Sequence, residues 1–223
     1  MLGGGCWLAT SLTNARDSAD SDAGEVLLFD EEFDGSVLDP NKWVVAGDGV
    51  WSIEGGTGIQ SNGDALAAMI YARDFNEATD YHIVARMRST GPFGGTNQLA
   101  PEIAFRVDPT TDAGGIPDSY HCEFNLAMSQ LILDQTTPSN AAGFASVTVN
   151  VSSIYQATPF VLDAVVTGHA VTCTLTVDGL GSVGVVTTTM LTRPNGSFGL
   201  KTYDTTAQFF YFKVYATASP VAD

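Results

Sequence analysis

The residues best suited to chemistry lie in one short stretch, Tyr120–Leu126, which reads YHCEFNL. In a β-strand alternate side chains share a face, so His121, Glu123 and Asn125 are predicted to form one outward polar row. An imidazole, a carboxylate and an amide can exchange hydrogen bonds with a ligand, and a lone carboxylic acid can also transfer a proton. Glu123 is the one carboxylate in the row, so the alternatives are a solvated strand residue, a ligand contact or a single general acid.

Four more polar side chains are predicted to extend this row into a groove. Arg86 and Arg106 lie in the alternating stretches YHIVARMRS and EIAFRV, where each is expected to face outward on a neighbouring strand. Lys201 and Tyr203 share one face of the closing region. Mixed donors and acceptors of this kind suit sugar hydroxyls. Arg106 has an alternative role as a surface ion-pair partner of Glu123, worth about 0–1 kcal/mol.

Other catalytic patterns are missing from the sequence. The three histidines, His82, His121 and His169, are scattered and lack metal-ligand spacing with Cys or Glu. No G-x-S-x-G motif occurs, and the glycine-rich stretch GGTGIQSNGD lies between strand-like segments, which is typical of a turn. The sequence therefore predicts no catalytic residue.

The charge balance excludes one class of partner. The 223 residues include 9 Lys and Arg against 25 Asp and Glu, a formal net charge of −16. A surface of this sign repels phosphate backbones and anionic lipid, so nucleic acid is not expected to bind. No run of about 18 apolar residues is present either, so we expect no transmembrane helix.

Short strand-like segments follow one another from Glu25 onward, separated by Gly- and Asp-rich turns. They predict an all-β fold, a two-sheet antiparallel sandwich whose first and last strands lie side by side. We predict one domain over residues 25–217, a flexible acidic segment over 1–24, and a short tail over 218–223. Hydrophobic residues make up 44% of the chain, enough for a sizeable core.

Four stretches, in this order, resemble the concanavalin A-like lectin/glucanase superfamily, in particular its laminin-G-like members. They are FDEEFDG with LDPNKW, YHIVARMRS with EIAFRV, FVLDAVVTGHAVTCTLTVDG, and GSFGLKTYDTTAQFFYFKV. The resemblance implies a jelly roll of two antiparallel sheets, one of them concave and often facing carbohydrate, with the second of these stretches forming paired central strands. Glycosidases of that superfamily carry E-x-D-x-x-E on a strand, whereas this chain has HCEFN. Hydrolysis by two carboxylates is therefore not expected.

The three cysteines have two predicted roles. Cys122 and Cys173 alternate with apolar residues and should point into the core, where two free thiols are favoured over a disulfide because several strands separate them. Cys6 follows three glycines, Gly3–Gly5, which resembles the end of a bacterial lipoprotein signal. Gly3 stands where an aliphatic residue is usual, and the charged and apolar parts of a signal are missing. Lipidation of Cys6 and a chance resemblance both stay open.

Four acidic residues near the first strand are candidates for a structural calcium ion: Asp30, Glu31, Glu32 and Asp34. No other cofactor is expected. The sequence thus predicts a monomeric, non-catalytic module that binds carbohydrate or a cell-surface glycan, in a secreted or lipid-tethered bacterial protein of the extracellular space or cell envelope. Any membrane contact would be through a lipid on Cys6. The alternatives are a glycoside hydrolase or lyase of the same fold, and an adhesion domain without a small ligand.

Overall fold

The computed structural model of the protein describes residues 25–65, 67–91, 100–111, 115–137, 140–150 and 158–217. These ranges are almost entirely strand and turn, with one 3-10 turn at Pro109–Thr111. None of their helical segments has the length and apolarity needed to cross a membrane. The predicted tether with Cys6 and the tail over 218–223 lie outside the described residues.

One sheet contains eight antiparallel strands. They are β1 (Val26–Glu31), β3 (Trp51–Ile53), β4 (Gly58–Gln60), β6 (Tyr81–Gly91), β11 (Phe160–Thr167), β12 (Ala170–Val177), β13 (Gly181–Thr188) and β15 (Thr206–Ala216). Their order is β13-β12-β11-β6-β15-β4-β3, and β1 pairs with β15 beside that path.

The other sheet contains seven antiparallel strands. They are β2 (Trp43–Gly47), β5 (Ala68–Ala72), β7 (Ala100–Asp108), β8 (Asp118–Asn125), β9 (Gln130–Thr137), β10 (Asn140–Thr148) and β14 (Ser197–Tyr203). Their order is β10-β9-β8-β7-β14-β5-β2. The two sheets form an all-β jelly-roll sandwich, which confirms the predicted fold class.

The predicted pairing of the two ends of the chain is confirmed. β1 runs antiparallel to β15, with Phe29 opposite Val214 and Glu31 opposite Phe212. The ring of Phe29 packs edge-on against Trp43 and Phe212, with centroids 5.0 and 5.9 Å away. Edge-to-face aromatic contacts of this kind add to the apolar area that the entry strand buries.

The core lies between the sheets and follows the period-2 pattern of the strands. In β12, Val171, Cys173, Leu175 and Val177 are buried, whereas the threonines between them are half-buried. β5 is different because all five of its residues are buried. A second apolar cluster explains this: Met69 and Tyr71 pack with Ala104 and Val107 on the outer face of the seven-stranded sheet, under Ile116. That sheet is therefore buried on both faces along part of its width.

One predicted strand pairing is wrong. The stretches YHIVARMRS and EIAFRV, expected to pair, form β6 and β7, which belong to opposite sheets. The chain also changes sheets between β2 and β3, which lie on either side of the Gly-Asp-Gly turn. The chain leaves the seven-stranded sheet at Gly47, which has φ +74°. A Cβ at this position would lie 2.3 Å from the carbonyl oxygen of Ala67, so only glycine fits here without a shift of the backbone. Alternation shows which side chains share a face, but it does not show whether a turn returns to the same sheet.

The predicted pair of free thiols is also wrong. Cys122 on β8 and Cys173 on β12 form a disulfide, with their Cα atoms 6.1 Å apart. The strands that separate them in sequence do not separate them in space, because β8 and β12 face each other across the core. The bridge thus joins the two sheets, and both cysteines are fully buried.

Removing this bridge is expected to destabilise the fold. The two cysteines are 51 residues apart. A bridge that closes a loop of this length stabilises the folded protein by about 4 kcal/mol, because it lowers the conformational entropy of the unfolded chain. Urea unfolding of the Cys122→Ala/Cys173→Ala variant should show a loss of roughly this size in the free energy of unfolding. Dithiothreitol should destabilise the wild type by a similar amount and leave the variant unchanged. Equal stability of the variant and the oxidised wild type would contradict the pairing.

Candidate functional site

Six polar side chains meet on the outer face of the seven-stranded sheet, the face opposite the core. We call them the polar cluster: Glu102, His121, Glu123, Asn125, Asp134 and Lys201. They come from four adjacent strands, β14, β7, β8 and β9. The register places Lys201 opposite Glu102 and Glu102 opposite Glu123. His121 is opposite Asp134 in the next row. Directly opposed residues point to the same face, so the strands alone bring these groups together.

Glu102 lies at the centre of the contacts. Its Oε2 atom accepts a hydrogen bond from Lys201 Nζ at 2.7 Å and is 3.5 Å from His121 Nδ1. The same His121 nitrogen is 2.9 Å from Asp134 Oδ1. Asn125 Nδ2 donates a hydrogen bond to Glu123 Oε1 at 3.5 Å, so these two side chains of β8 also contact each other.

Glu123 is the one carboxylate of the β8 row, but neighbouring strands place two more carboxylates beside it. Glu102 stands on β7 directly opposite Glu123, and opposed residues have Cβ atoms about 4.5–5.5 Å apart. Asp134 adds a third carboxylate from β9. Glu102 and Asp134 were missed because each lies in a different strand and no spacing within one strand reveals them. The alternation of EIAFRV was the available signal, since it places Glu102 on the face opposite Ile103.

Burial and neighbouring charges shift the pKa values of three groups in the polar cluster in different ways. Burial, together with the charges of Glu102 and Asp134, raises the pKa of Glu123 to about 9. Burial opposes the charge on Lys201, but Glu102 and Asp134 outweigh it and raise the pKa of this ammonium group. Burial would also raise the pKa of Asp134, but the charge and hydrogen bond of His121 lower it. At neutral pH Glu123 therefore holds a proton, while Asp134 is a carboxylate and Lys201 an ammonium ion.

The cluster is closed at its centre and open at one edge. Glu102 and His121 are fully buried, and Glu123 is 3% exposed, so the interpretation of Glu123 as a solvated residue is wrong. Asp134 keeps 20% of its side chain exposed. Beyond it, β9 and β10 form an open cleft of about 440 Å³. Its lining residues in the described chain are Gln130, Ile132, Gly143, Phe144, Ala145 and Ser146.

The cleft adjoins the polar cluster through the register of the sheet. Ile132 is opposite Glu123, and Gln130 is opposite Asn125. Phe144 is half-buried and packs against the core, with its ring 5.9 Å from that of the buried Tyr120. Tyr203 lies on the other side of the cluster, half-buried at the end of β14, with Lys201 Nζ 5.8 Å from its ring. The structure thus places His121, Glu123, Asn125, Lys201 and Tyr203 on the β8, β7 and β14 side of one sheet. Their role in ligand binding stays a prediction.

Arg86 does not belong to this face. It lies on β6 in the eight-stranded sheet, where its guanidinium contacts Asp178 at 2.5 Å and the ring of Phe210 at 5.4 Å. We expected the strand of Arg86 to lie next to β7 and β8. This is wrong because the chain changes sheets between β6 and β7.

Arg106 is buried and does not face outward, contrary to the prediction. A register shift follows Phe105, and Arg106 has φ +49°, so the alternation of β7 breaks at this residue. Its backbone N–H donates to Tyr81 Oη at 2.9 Å. Its guanidinium donates to the carbonyl oxygens of Thr79, Gly168 and Arg193. Arg106 is fully buried and joins three loops, which is a structural role.

The four acidic residues proposed for calcium do not point to one place. Lys213 Nζ is 2.6 Å from Glu32 Oε1 and 3.8 Å from Asp30 Oδ1. Glu31 faces the other way and accepts hydrogen bonds from the Phe33 backbone and from Trp43 Nε1 at 2.9 and 3.0 Å. Asp34 is exposed. Calcium binding here stays a prediction, in which Lys213 would compete for two of the four carboxylates.

Solved structures with similar folds include both binding proteins and an enzyme. The carbohydrate-binding module CBM66 from Bacillus subtilis aligns with TM-score 0.58 at 16% identity, over 76% of this chain and 92% of the module. The VIP36 exoplasmic/lumenal domain in its Ca2+/Man3GlcNAc-bound form aligns with TM-score 0.59 at 10% identity, over 81% and 85%. The catalytic domain of an endo-1,3-beta-glucanase (laminarinase) from Thermotoga petrophila aligns with TM-score 0.57 at 14% identity, over 87% and 99%.

These similarities show that the protein has the concanavalin A-like lectin/glucanase fold, as its sequence predicted. A scan against protein-family models finds no match, and a search of curated proteins finds none either.

The raised pKa of Glu123 predicts that stability falls as pH rises. Between the ordinary value of 4.5 and the folded value of about 9, the folded protein holds a proton that the unfolded chain has released. The Glu123 contribution is therefore complete below pH 4.5 and declines by up to ~1.4 kcal/mol per pH unit above it. Urea unfolding at pH 5, 7 and 9 should show this decline in the wild type and a flatter profile in Glu123→Gln, which cannot titrate. Parallel profiles for the two proteins would contradict it.

Proposed function

We propose that this chain is a glycan-binding module that holds its ligand in the β9–β10 cleft beside the polar cluster. The observation that carries the proposal is the composition of that cleft, which is lined by Gln130 and Ser146 together with Phe144, a half-buried residue that also packs against the core. A sugar offers apolar C–H faces and hydroxyl groups, so it needs an aromatic surface and mixed donors and acceptors together. The two strands hold these groups in place before any ligand arrives, which lowers the entropy lost on binding.

The charge of the molecule selects among glycans. Asp134 borders the cleft as a carboxylate, and the whole chain carries a formal net charge of −16. An anionic sugar would be repelled by Asp134 at short range and by the net negative charge at long range, whereas a neutral sugar would not. Neutral oligosaccharides are therefore the proposed ligands.

Two further observations support this proposal. Among similar structures are a carbohydrate-binding module and a lumenal domain bound to Man3GlcNAc. The buried Cys122–Cys173 bridge is typical of proteins that fold in oxidising compartments, which favours the extracellular space or the cell envelope. Tethering through a lipid on Cys6 belongs to the same proposal, as does a single domain over residues 25–217.

The cleft residues are expected to control glycan affinity. A glycan-array screen would identify a neutral ligand, and titration calorimetry would then compare variants. Phe144→Ala should weaken binding about tenfold, or ~1.4 kcal/mol, because the apolar surface that Phe144 contributes to the cleft is lost. Gln130→Ala should weaken it by a smaller factor, since one hydrogen-bonding group is removed.

Phe210→Ala is the matched control, because this half-buried ring lies on the eight-stranded sheet, away from the cleft. It should bind as the wild type does. If Phe144→Ala and Phe210→Ala bound equally well, or if the array showed no neutral ligand, the proposed site would be rejected. Thermal melting of each variant verifies that a loss of affinity does not come from unfolding.

A second candidate function is retaining glycoside hydrolysis, which one specific observation favours. Glu102 and Glu123 are directly opposed across adjacent strands, and retaining enzymes use two carboxyl groups about 5–5.5 Å apart. Glu102 is ion-paired with Lys201, whereas Glu123 is protonated. A carboxylate nucleophile and a carboxylic acid are the two forms that this reaction requires. Both groups are nearly inaccessible, however, so a substrate has far easier access to the open cleft, and binding is the better-supported function.

Reducing-sugar release from a panel of β-glucans tests this second candidate. If the pair is catalytic, Glu102→Gln and Glu123→Gln should each abolish hydrolysis, since either change removes one of two required groups. Glu54→Gln, an exposed carboxylate elsewhere, should retain full activity. Hydrolysis that survived in both cluster variants, or no hydrolysis by the wild type, would reject the enzymatic role and leave glycan binding untouched.

A further inference from the structure

We propose that Glu102, His121 and Asp134 form a binding site for one divalent zinc-type ion on the outer face of the seven-stranded sheet. This goes beyond glycan binding and does not depend on it. One ligand atom from each residue lies within 4.8 Å of the other two. His121 Nδ1 is 2.9 Å from Asp134 Oδ1 and 3.5 Å from Glu102 Oε2. Ligands bound at about 2.0–2.2 Å from one zinc ion are separated by distances of this order.

The hydrogen bonds of His121 hold its Nδ1 atom toward the two carboxylates. Ser119 Oγ donates to the carbonyl oxygen of Pro117 at 3.1 Å and lies 2.8 Å from His121 Nε2. Because its one proton is used on Pro117, this hydroxyl accepts from Nε2–H. Nδ1 is thereby held facing Asp134 Oδ1 and Glu102 Oε2, where a metal ion would take the place of its proton. A metal-bound histidine is usually held through its other nitrogen in this way.

Glu102 supplies an independent observation. Its side chain is fully buried, yet its Oε1 atom has no hydrogen-bond partner in the described part of the chain. A buried carboxylate oxygen without a partner is unfavourable because it has lost water and gained nothing. A metal ion bound by Glu102 would provide the missing interaction.

The ligand types select the ion. Carboxylates accept hard cations such as Ca2+ and Mg2+, but those ions take oxygen ligands and gain little from an imidazole. Zn2+ binds imidazole and carboxylate together, and first-row affinities place it above Mn2+ at such a site. We therefore expect Zn2+ to bind far more tightly than Ca2+.

Lys201 is the competitor for this site. Its ammonium group is 2.7 Å from Glu102 Oε2, the oxygen that also faces His121. A divalent ion would have to displace this contact or share the carboxylate with it, at a distance where like charges repel strongly. Removing the ammonium group should consequently strengthen metal binding, which a purely structural ion pair would not do.

Titration calorimetry of the chelator-treated full chain with zinc chloride, in 0.15 M salt and without glycan, tests the proposal. The wild type should bind one ion per chain. Asp134→Asn, a conservative change at a partly exposed ligand, should weaken this binding at least about tenfold. Lys201→Met should strengthen it at least about tenfold. Calcium chloride should give no comparable signal.

The control variant is His82→Gln. His82 also lies between two carboxylates, with Nδ1 3.0 Å from Glu25 and Nε2 3.0 Å from Asp163, but opposite sides of the ring cannot chelate one ion. It should bind zinc as the wild type does. Absence of saturable one-to-one binding, unchanged affinity in Asp134→Asn, or an equal loss in His82→Gln would overturn the site. If Lys201→Met does not fold, the comparison of Asp134→Asn with His82→Gln still decides. Since no glycan is present, failure here is separable from failure of the glycan proposal.

Discussion

Side chains from both sheets fill one apolar core, and this packing sets the orientation of every strand that reaches it. β8 shows the consequence most clearly. Cys122 and Phe124 point inward, with Cys122 bonded to Cys173 of the facing sheet. Because neighbouring residues of a strand face opposite ways, His121 and Glu123 must then lie on the outer face. A slip of one residue would place both in the core, so the core fixes the position of the polar cluster as firmly as it fixes its own contacts.

The outer face is unusual because it is buried as well. Apolar residues around Met69 and Tyr71 cover one part of it, and the polar cluster occupies the next. A buried carboxylate must be paired or neutralised, since its desolvation is unfavourable. Glu102 takes the ammonium group of Lys201, and Glu123 takes a proton.

The sequence predicted the sandwich and the pairing of its first and last strands, because both follow from local alternation and from the order of segments. It also predicted the polar row of His121, Glu123 and Asn125, which depends on one strand. It placed Arg86 and Arg106 on the same face and was wrong about both. Arg86 lies on a strand of the other sheet, and Arg106 lies at a register shift, with its backbone in the left-handed region. Neither the change of sheet nor the shift has a signature within its own strand.

Alternation within each strand, which the sequence determines by itself, separates core-facing from outward-facing residues, because successive side chains leave the backbone on opposite sides. Only the tertiary structure decided which strands are neighbours. That decision brought Glu102 beside Glu123, set Asp134 against His121, and placed Cys122 across the core from Cys173. The physical reason is that strand pairing depends on backbone hydrogen bonds common to all residues. The partner of a strand is therefore chosen by the packing of the whole sandwich and not by the local sequence.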